Sequence, residues 1–118
     1  MIQIRKWLEE GELELVWSYV IDIEVVRNPF VARREGVISW KSLSSTEIGP
    51  SIKTVSRAIE LRSLGFGEID SLHIACAIES ESDCFVTTDD AILKKTNSVP
   101  ELHISDPVAF TKVIEESQ

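Results

Sequence analysis

Cysteine is scarce in this chain: Cys76 and Cys84 are the two present in 118 residues. They lack a CxxC spacing, which argues against a disulfide framework, a zinc knuckle or a thioredoxin-type redox pair and leaves two buried thiols as the expectation. Five Gly and four Pro are too few for a collagen-like or low-complexity chain. Long hydrophobic runs are missing as well. The stretch from Leu13 to Ile23 is broken by Glu14 and Asp22, far short of the roughly 20 apolar residues of a membrane helix. The opening Met1-Ile2-Gln3-Ile4-Arg5-Lys6-Trp7 has neither the apolar run nor the small-residue cleavage site of a secretory signal, so a cytoplasmic protein with no membrane association is expected.

Positive charge is also in short supply, with 12 Lys and Arg against 20 Asp and Glu and a net charge of -8. That disfavours a generally basic nucleic-acid coat. The distribution is uneven, however. Residues 27 to 62 carry seven bases, among them Arg27, Arg33 and Arg34, against three acids, whereas residues 63 to 118 carry three bases and eleven acids. Such a division permits a basic substrate or partner surface beside an acidic pocket. What remains is 43% hydrophobic and 27% charged, the make-up of one soluble domain spanning residues 1 to 118, long enough to bury a core without metal or disulfide staples.

Breaks at Gly11, Asn28-Pro29, Gly49-Pro50, Gly65-Phe66-Gly67 and Asp106-Pro107 divide the chain into short elements. The spacing predicts a first helix over Ile2 to Glu10, a strand at Leu13 to Trp17, and a helix from Ser18 to about Arg27. A third helix is expected from Pro29 to about Trp40, then a polar connection through Ser42, Ser44, Ser45 and Thr46. After Pro50 a helix to Gly65 is expected to turn Ile52, Val55 and Ile59 inward. Ile69, Leu72, His73, Cys76 and Ala77 predict one core-facing stripe on a helix over Glu68 to Ser80. The β-branched run Cys84 to Thr88 reads as a buried strand that delivers Asp89 and Asp90 at its end. A short helix, a strand near Leu102 to Ile104, and a last helix from Pro107, capped by Ser105 or Asp106, complete the pattern. Strands alternating with helices imply a parallel three-layer α/β/α sheet.

Ligands of open α/β sheets bind beyond the carboxyl ends of the strands. Glu24, Asp70 and Asp89 all map there. Converging carboxylates repel unless a cation neutralises them, and hard ions such as Mg²⁺ or Mn²⁺ prefer such oxygen donors. Helix N-termini also favour acids in their first turn, a purely structural role open to Asp70 and Asp90. His73, three residues beyond Asp70, is within sequence reach of such a site, although its place on the apolar face favours a hydrogen-bonded core histidine. His103 is expected to be structural or exposed. Trp7 and Trp17 fall in apolar patterns and read as core, whereas Trp40 is open to stacking on a base. The Asp89-Asp90 pair after a strand is also a feature of receiver domains, but their acceptor strand and partner lysine are not evident here.

The run Asp70-Ser71-Leu72-His73-Ile74-Ala75-Cys76-Ala77-Ile78-Glu79, followed by Asp83-Cys84-Phe85-Val86-Thr87-Thr88-Asp89-Asp90, resembles the C-terminal half of a PIN domain. Upstream, Leu13 to Trp17, Ser18 to Glu24 and Asn28-Pro29-Phe30 resemble a bacterial subgroup related to VapC toxins. The resemblance covers nearly the whole chain. It implies a Rossmann-like α/β/α nuclease that cuts single-stranded RNA with Mg²⁺ or Mn²⁺, paired with an antitoxin protein. By motif, Glu24 matches the family's second acid, Asp70 its third and Asp89 its fourth. Thr88 falls in the Thr-Asp step, where its hydroxyl is expected to orient Asp89, and Asp22 and Asp90 are reserve ligands. The family's opening strand, which ends in an essential Asp, has no counterpart in this sequence, so an N-terminally truncated sheet is expected. Its unpaired edges imply a homodimer or a swapped segment. A catalytically incompetent PIN-like remnant serving as a binding module is the alternative.

Overall fold

The structure, a computed structural model, describes residues 2–117. Helix α1 (Ile2–Glu9) leads into strand β1 (Leu15–Ser18), followed by α2 (Tyr19–Arg27) and α3 (Val31–Ile38). A 3-10 turn precedes β2 (Ser44–Ile48), and α4 (Ile52–Ser63) and α5 (Glu68–Glu79) come next. Strand β3 (Cys84–Val86), the short α6 (Asp90–Leu93), β4 (His103–Ser105) and α7 (Pro107–Ser117) finish the chain. Gly11 and Gly65, at φ +79° and +99°, end α1 and α4 in the left-handed region that favours glycine.

The expected parallel α/β arrangement is present. Among the described residues it takes the form of two two-stranded sheets, β1 with β2 and β3 with β4, both parallel. Thr87 N–H extends the second pair by donating to Ser105 O at 3.0 Å. Each of β1 and β3 has one paired edge, and no third strand bonds the other among the described residues. Helix α5 packs against both β1 and β3 and lies along α4, so it joins the two sheets.

That position explains a departure from the sequence pattern. The single stripe expected on α5 is instead burial nearly all round, with Ser71, Ile74, Ala75, Cys76 and Ala77 inside and Leu72 and His73 half-buried. A helix enclosed by neighbours on several sides has no solvent face to mark with polar residues. Its partner α4 departs the other way. Thr54, Ala58 and Leu61 turn inward, while Ile52 is 88% exposed and Ile59 63%. Small residues at Thr54 and Ala58 let α4 approach α5 closely, and that contact decides the rotation of the helix. The main cluster combines Ala58, Leu61, Phe66, Ile74, Ile92, Val99, Leu102 and Ile104. Leu61 and Ile74 are fully enclosed, a burial worth about 1.5–3 kcal/mol each.

Segments Ser44–Ile48 and Leu15–Ser18 show what tertiary pairing adds. The first, expected as a polar connection, is a strand whose three middle residues are exposed, because an edge strand needs no apolar face to form a ladder. The second starts two residues later than expected and runs through Ser18. Ser18 therefore occupies the N-cap position of α2, with no side-chain bond to that helix. Trp7 and Trp17 are in the core as expected, at 3% and 2% exposed. Asp106 caps α7 by accepting from Ala109 N–H at 2.8 Å.

Candidate functional site

Glu24 lies on α2 and is exposed. Asp70 stands in the first turn of α5, and Asp89 immediately precedes α6. These three come from well-separated parts of the chain, yet Asp70 feels both of the others. Burial, then the charges of Asp89 and Glu24, hold the Asp70 carboxyl above its ordinary value, with His73 opposing the shift. A cation beside Asp70 would relieve the like-charge repulsion that disfavours its ionisation.

Each acid is positioned by its own local chemistry. Asp89 Oδ1 accepts from Ala91 N–H at 2.8 Å, which makes it the N-cap of α6. The Asp89 N–H donates to Thr87 Oγ1 at 3.1 Å. The hydroxyl that orients this residue is therefore that of Thr87, not the expected Thr88, which is exposed. The reason is local: an N–H two residues on folds back onto a threonine hydroxyl in a tight turn. The Asp70 carboxylate lies over Gly67, where an added Cβ would stand 3.6 Å from Oδ2.

His73 joins this neighbourhood. Its Nε2 is hydrogen-bonded to Glu24 Oε1, a link between α5 and α2, and its ring stands 6.5 Å from that of Phe85 on β3. The half-buried imidazole thus satisfies the sequence reading of a hydrogen-bonded histidine while touching one of the candidate acids. Asp22 is drawn elsewhere. Its Oδ1 accepts from Trp17 Nε1 at 3.0 Å and from Lys41 Nζ at 3.3 Å, so it fastens β1 to the chain before β2. Asp90 is exposed in the first turn of α6, where the helix dipole favours it. His103 is exposed, as expected.

The donor set suits a hard divalent ion, since carboxylate oxygen is what Mg²⁺ and Mn²⁺ prefer. Among the described residues no group of three or more His, Cys, Asp or Glu side chains converges as a metal cage. Mg²⁺ commonly keeps several waters and takes one or two carboxylates plus substrate phosphate. Asp70 and Asp89 offer carboxylates of the kind that mode uses, and Glu24 is hydrogen-bonded to His73. The cysteines belong to no such site. Cys76 is buried and Cys84 half-buried, both free, and burial pushes each thiol up to about 11, reinforced by Glu79 and Asp83 respectively.

Beside Glu24 opens a surface cavity of about 390 Å³ whose walls include Arg27, Phe30 and Arg33. Sequence reading marked the local excess of positive charge from residue 27 onward but assigned no role to these side chains. No helix is long and apolar enough to cross a membrane among the described residues. A family model described as PIN domain matches residues 1–98. No curated protein and no solved structure matches the chain.

Proposed function

The chain belongs to the PIN-domain family, and from that membership we propose that it is built as a Mg²⁺- or Mn²⁺-dependent endoribonuclease of the VapC toxin type, acting on single-stranded RNA in the cytoplasm. Nuclease-type chemistry with a divalent ion is general to the family. The observation that supports the site is the raised Asp70 carboxyl, held up by burial and by Asp89 and Glu24 together. In this reading Asp70 and Asp89 would hold the ion, and Glu24 would stand beside them as a further carboxylate. A bound ion supplies activation of water and stabilisation of the phosphodiester leaving group. His73 fixes the Glu24 carboxylate, and Thr87 fixes the turn that presents Asp89.

The same geometry supports a second reading, a PIN-like binding module without competent catalysis. It is favoured by the lack of a three-ligand cage and by the free edges of β1 and β3 among the described residues. Both readings meet in one proposal about assembly. A strand inserted parallel to β1 and β3, ending in a fourth acid, completes the centre, and the chain alone has little activity. A homodimer is the proposed state, supported by those edges and by the exposed Ile52 and Ile59 on α4. An antitoxin protein is the proposed regulatory partner.

The test is cleavage of single-stranded RNA in Mn²⁺, with and without chelator. The chain by itself is expected to cut weakly or not at all. A version carrying a PIN-type strand that ends in Asp is expected to cut, and Asp70→Asn or Asp89→Asn to abolish cutting. Robust cleavage by the chain alone, lost in both variants, overturns the binding-module reading. An inactive extended form overturns the assignment of the site.

A further inference from the structure

The α2–α3 corner carries a set of groups that the acidic cluster does not use. Asn28 Oδ1 accepts from Phe30 N–H at 2.9 Å, and Arg34 donates to Asn28 O at 2.8 Å. Between these two bonds, with Pro29 limiting φ, the turn is held in one shape. It presents Phe30 to solvent at 60% exposure, beneath a guanidinium, since Arg33 Cζ lies 5.2 Å from the ring centroid. Arg33 lines two adjoining cavities, of about 390 and 170 Å³, and Arg27 lines the larger. Neither Arg27 nor Arg33 forms an ion pair among the described residues. In a chain of net charge -8, two unpaired arginines beside an exposed aromatic ring are a local reversal of the overall field.

The larger cavity borders the candidate centre on the Glu24 side. Glu24 forms one wall and Ile69, the neighbour of Asp70, another. A polymer whose phosphate reached the acidic cluster would lay its next nucleotide along this corner. Arginine suits phosphate oxygens through its planar fork of donors. An aromatic face stacks on any unpaired base, and an arginine over that face adds a cation–π contribution. A double helix keeps its bases stacked on one another and offers none to such a ring.

We propose that Arg27, Arg33 and Phe30 form a nucleotide subsite, the two arginines taking a phosphate of single-stranded RNA that flanks the scissile bond and Phe30 stacking on its base. This deepens the nuclease reading and rests on it. The positive charge draws the strand toward a cluster that would otherwise repel it, and the ring holds the adjoining nucleotide without reading its identity.

The test is fluorescence-anisotropy binding of a short single-stranded RNA in chelator and low salt, which blocks cleavage and keeps binding separate from activity. Arg27→Gln/Arg33→Gln is compared with Lys53→Gln/Arg62→Gln, an equal change of charge on α4. The first double variant is expected to lower the slope of log affinity against log salt by about 0.7, the value for one phosphate charge left unneutralised. The α4 variant is expected to leave the slope unchanged. Phe30→Ala is expected to weaken binding about tenfold, and Phe30→Trp to restore it. Circular dichroism of each variant checks the fold. Equal losses in both double variants, or unchanged affinity in Phe30→Ala, overturn the subsite and leave the corner to a protein partner. Failure of the parent chain to bind RNA also overturns it. Mn²⁺ binding by the same protein, lost in Asp70→Asn, shows in that event that the acidic cluster still stands.

Discussion

Asp70→Asn separates a metal-seeking acid from one that merely starts a helix, because the two roles give opposite signs. The side chain keeps its shape and loses its charge. At the N-terminus of α5 a carboxylate is favoured by about 0.3–1 kcal/mol through the helix dipole. Opposing this, burial and the charges of Asp89 and Glu24 raise the Asp70 carboxyl. Repulsion between partly exposed charges has the scale of an exposed ion pair, about 0.2–1 kcal/mol each, and solvent screening keeps it small. The upward direction of the shift says that the disfavouring effects win, so without metal the Asn variant should be more stable at pH 7 by a few tenths of a kcal/mol. That corresponds to about 1–2 °C in Tm for a domain of this size. The sign follows from proton linkage. A carboxyl whose folded pKa is raised above the unfolded value binds its proton longer in the folded state, so it lowers stability as pH rises through that window. The gain from Asn should therefore be full above the raised value and vanish below the ordinary value of 3.8, where both states are protonated. Mn²⁺ reverses the order. At a concentration of 100 times its Kd it stabilises the parent by about 2.7 kcal/mol, roughly 10 °C, and the variant should lose most of this. Differential scanning fluorimetry across pH, in chelator and in Mn²⁺, reads all of it. A variant less stable than the parent in chelator, or an equal Mn²⁺ gain in both proteins, refutes the reasoning.

Two further outcomes test the scaffold. Ser51 caps α4 by accepting from Thr54 N–H at 3.1 Å and donates to Glu79 at 2.8 Å, joining the start of α4 to the end of α5; Ser51→Ala should cost about 1–2 kcal/mol in urea unfolding, and an unchanged midpoint would contradict the junction. Cys76 and Cys84, with thiols pushed up to about 11, should resist maleimide at pH 7 in the native protein and react once it is unfolded in guanidinium, and rapid native labelling of either would show that the burial is wrong.

Local pattern was enough for elements whose neighbours only confirm them. Gly11 and Gly65 end helices where a left-handed residue is required, and the run before Asp89 forms a strand, although only over Cys84–Val86, with Thr87 and Thr88 outside it and not within it as expected. Asp106 caps the last helix as its position suggested. The parallel α/β class followed from the alternation of these elements, and the order of Asp70, the strand and Asp89 carried the family. Each of these features is decided within a few residues, by allowed backbone angles, side-chain periodicity or a short reach to a backbone amide.

The tertiary structure decided what depends on which surface meets which. Ser44–Ile48 became a strand because β1 supplied hydrogen-bond partners, although its own side chains are polar. Helix α4 turned Thr54 and Ala58 inward, and left Ile52 and Ile59 in solvent, because α5 admits small residues at their line of contact. Helix α5 lost its single apolar stripe because both sheets and α4 enclose it. His73 met Glu24, and Asp70 came under the influence of Asp89, only when α2, α5 and the end of β3 were packed together. Hydrophobicity determined that these segments would be buried, but it is non-directional. Their rotations, and therefore the meeting of the acids, were set by steric fit and by the obligation of every buried backbone group to find a partner.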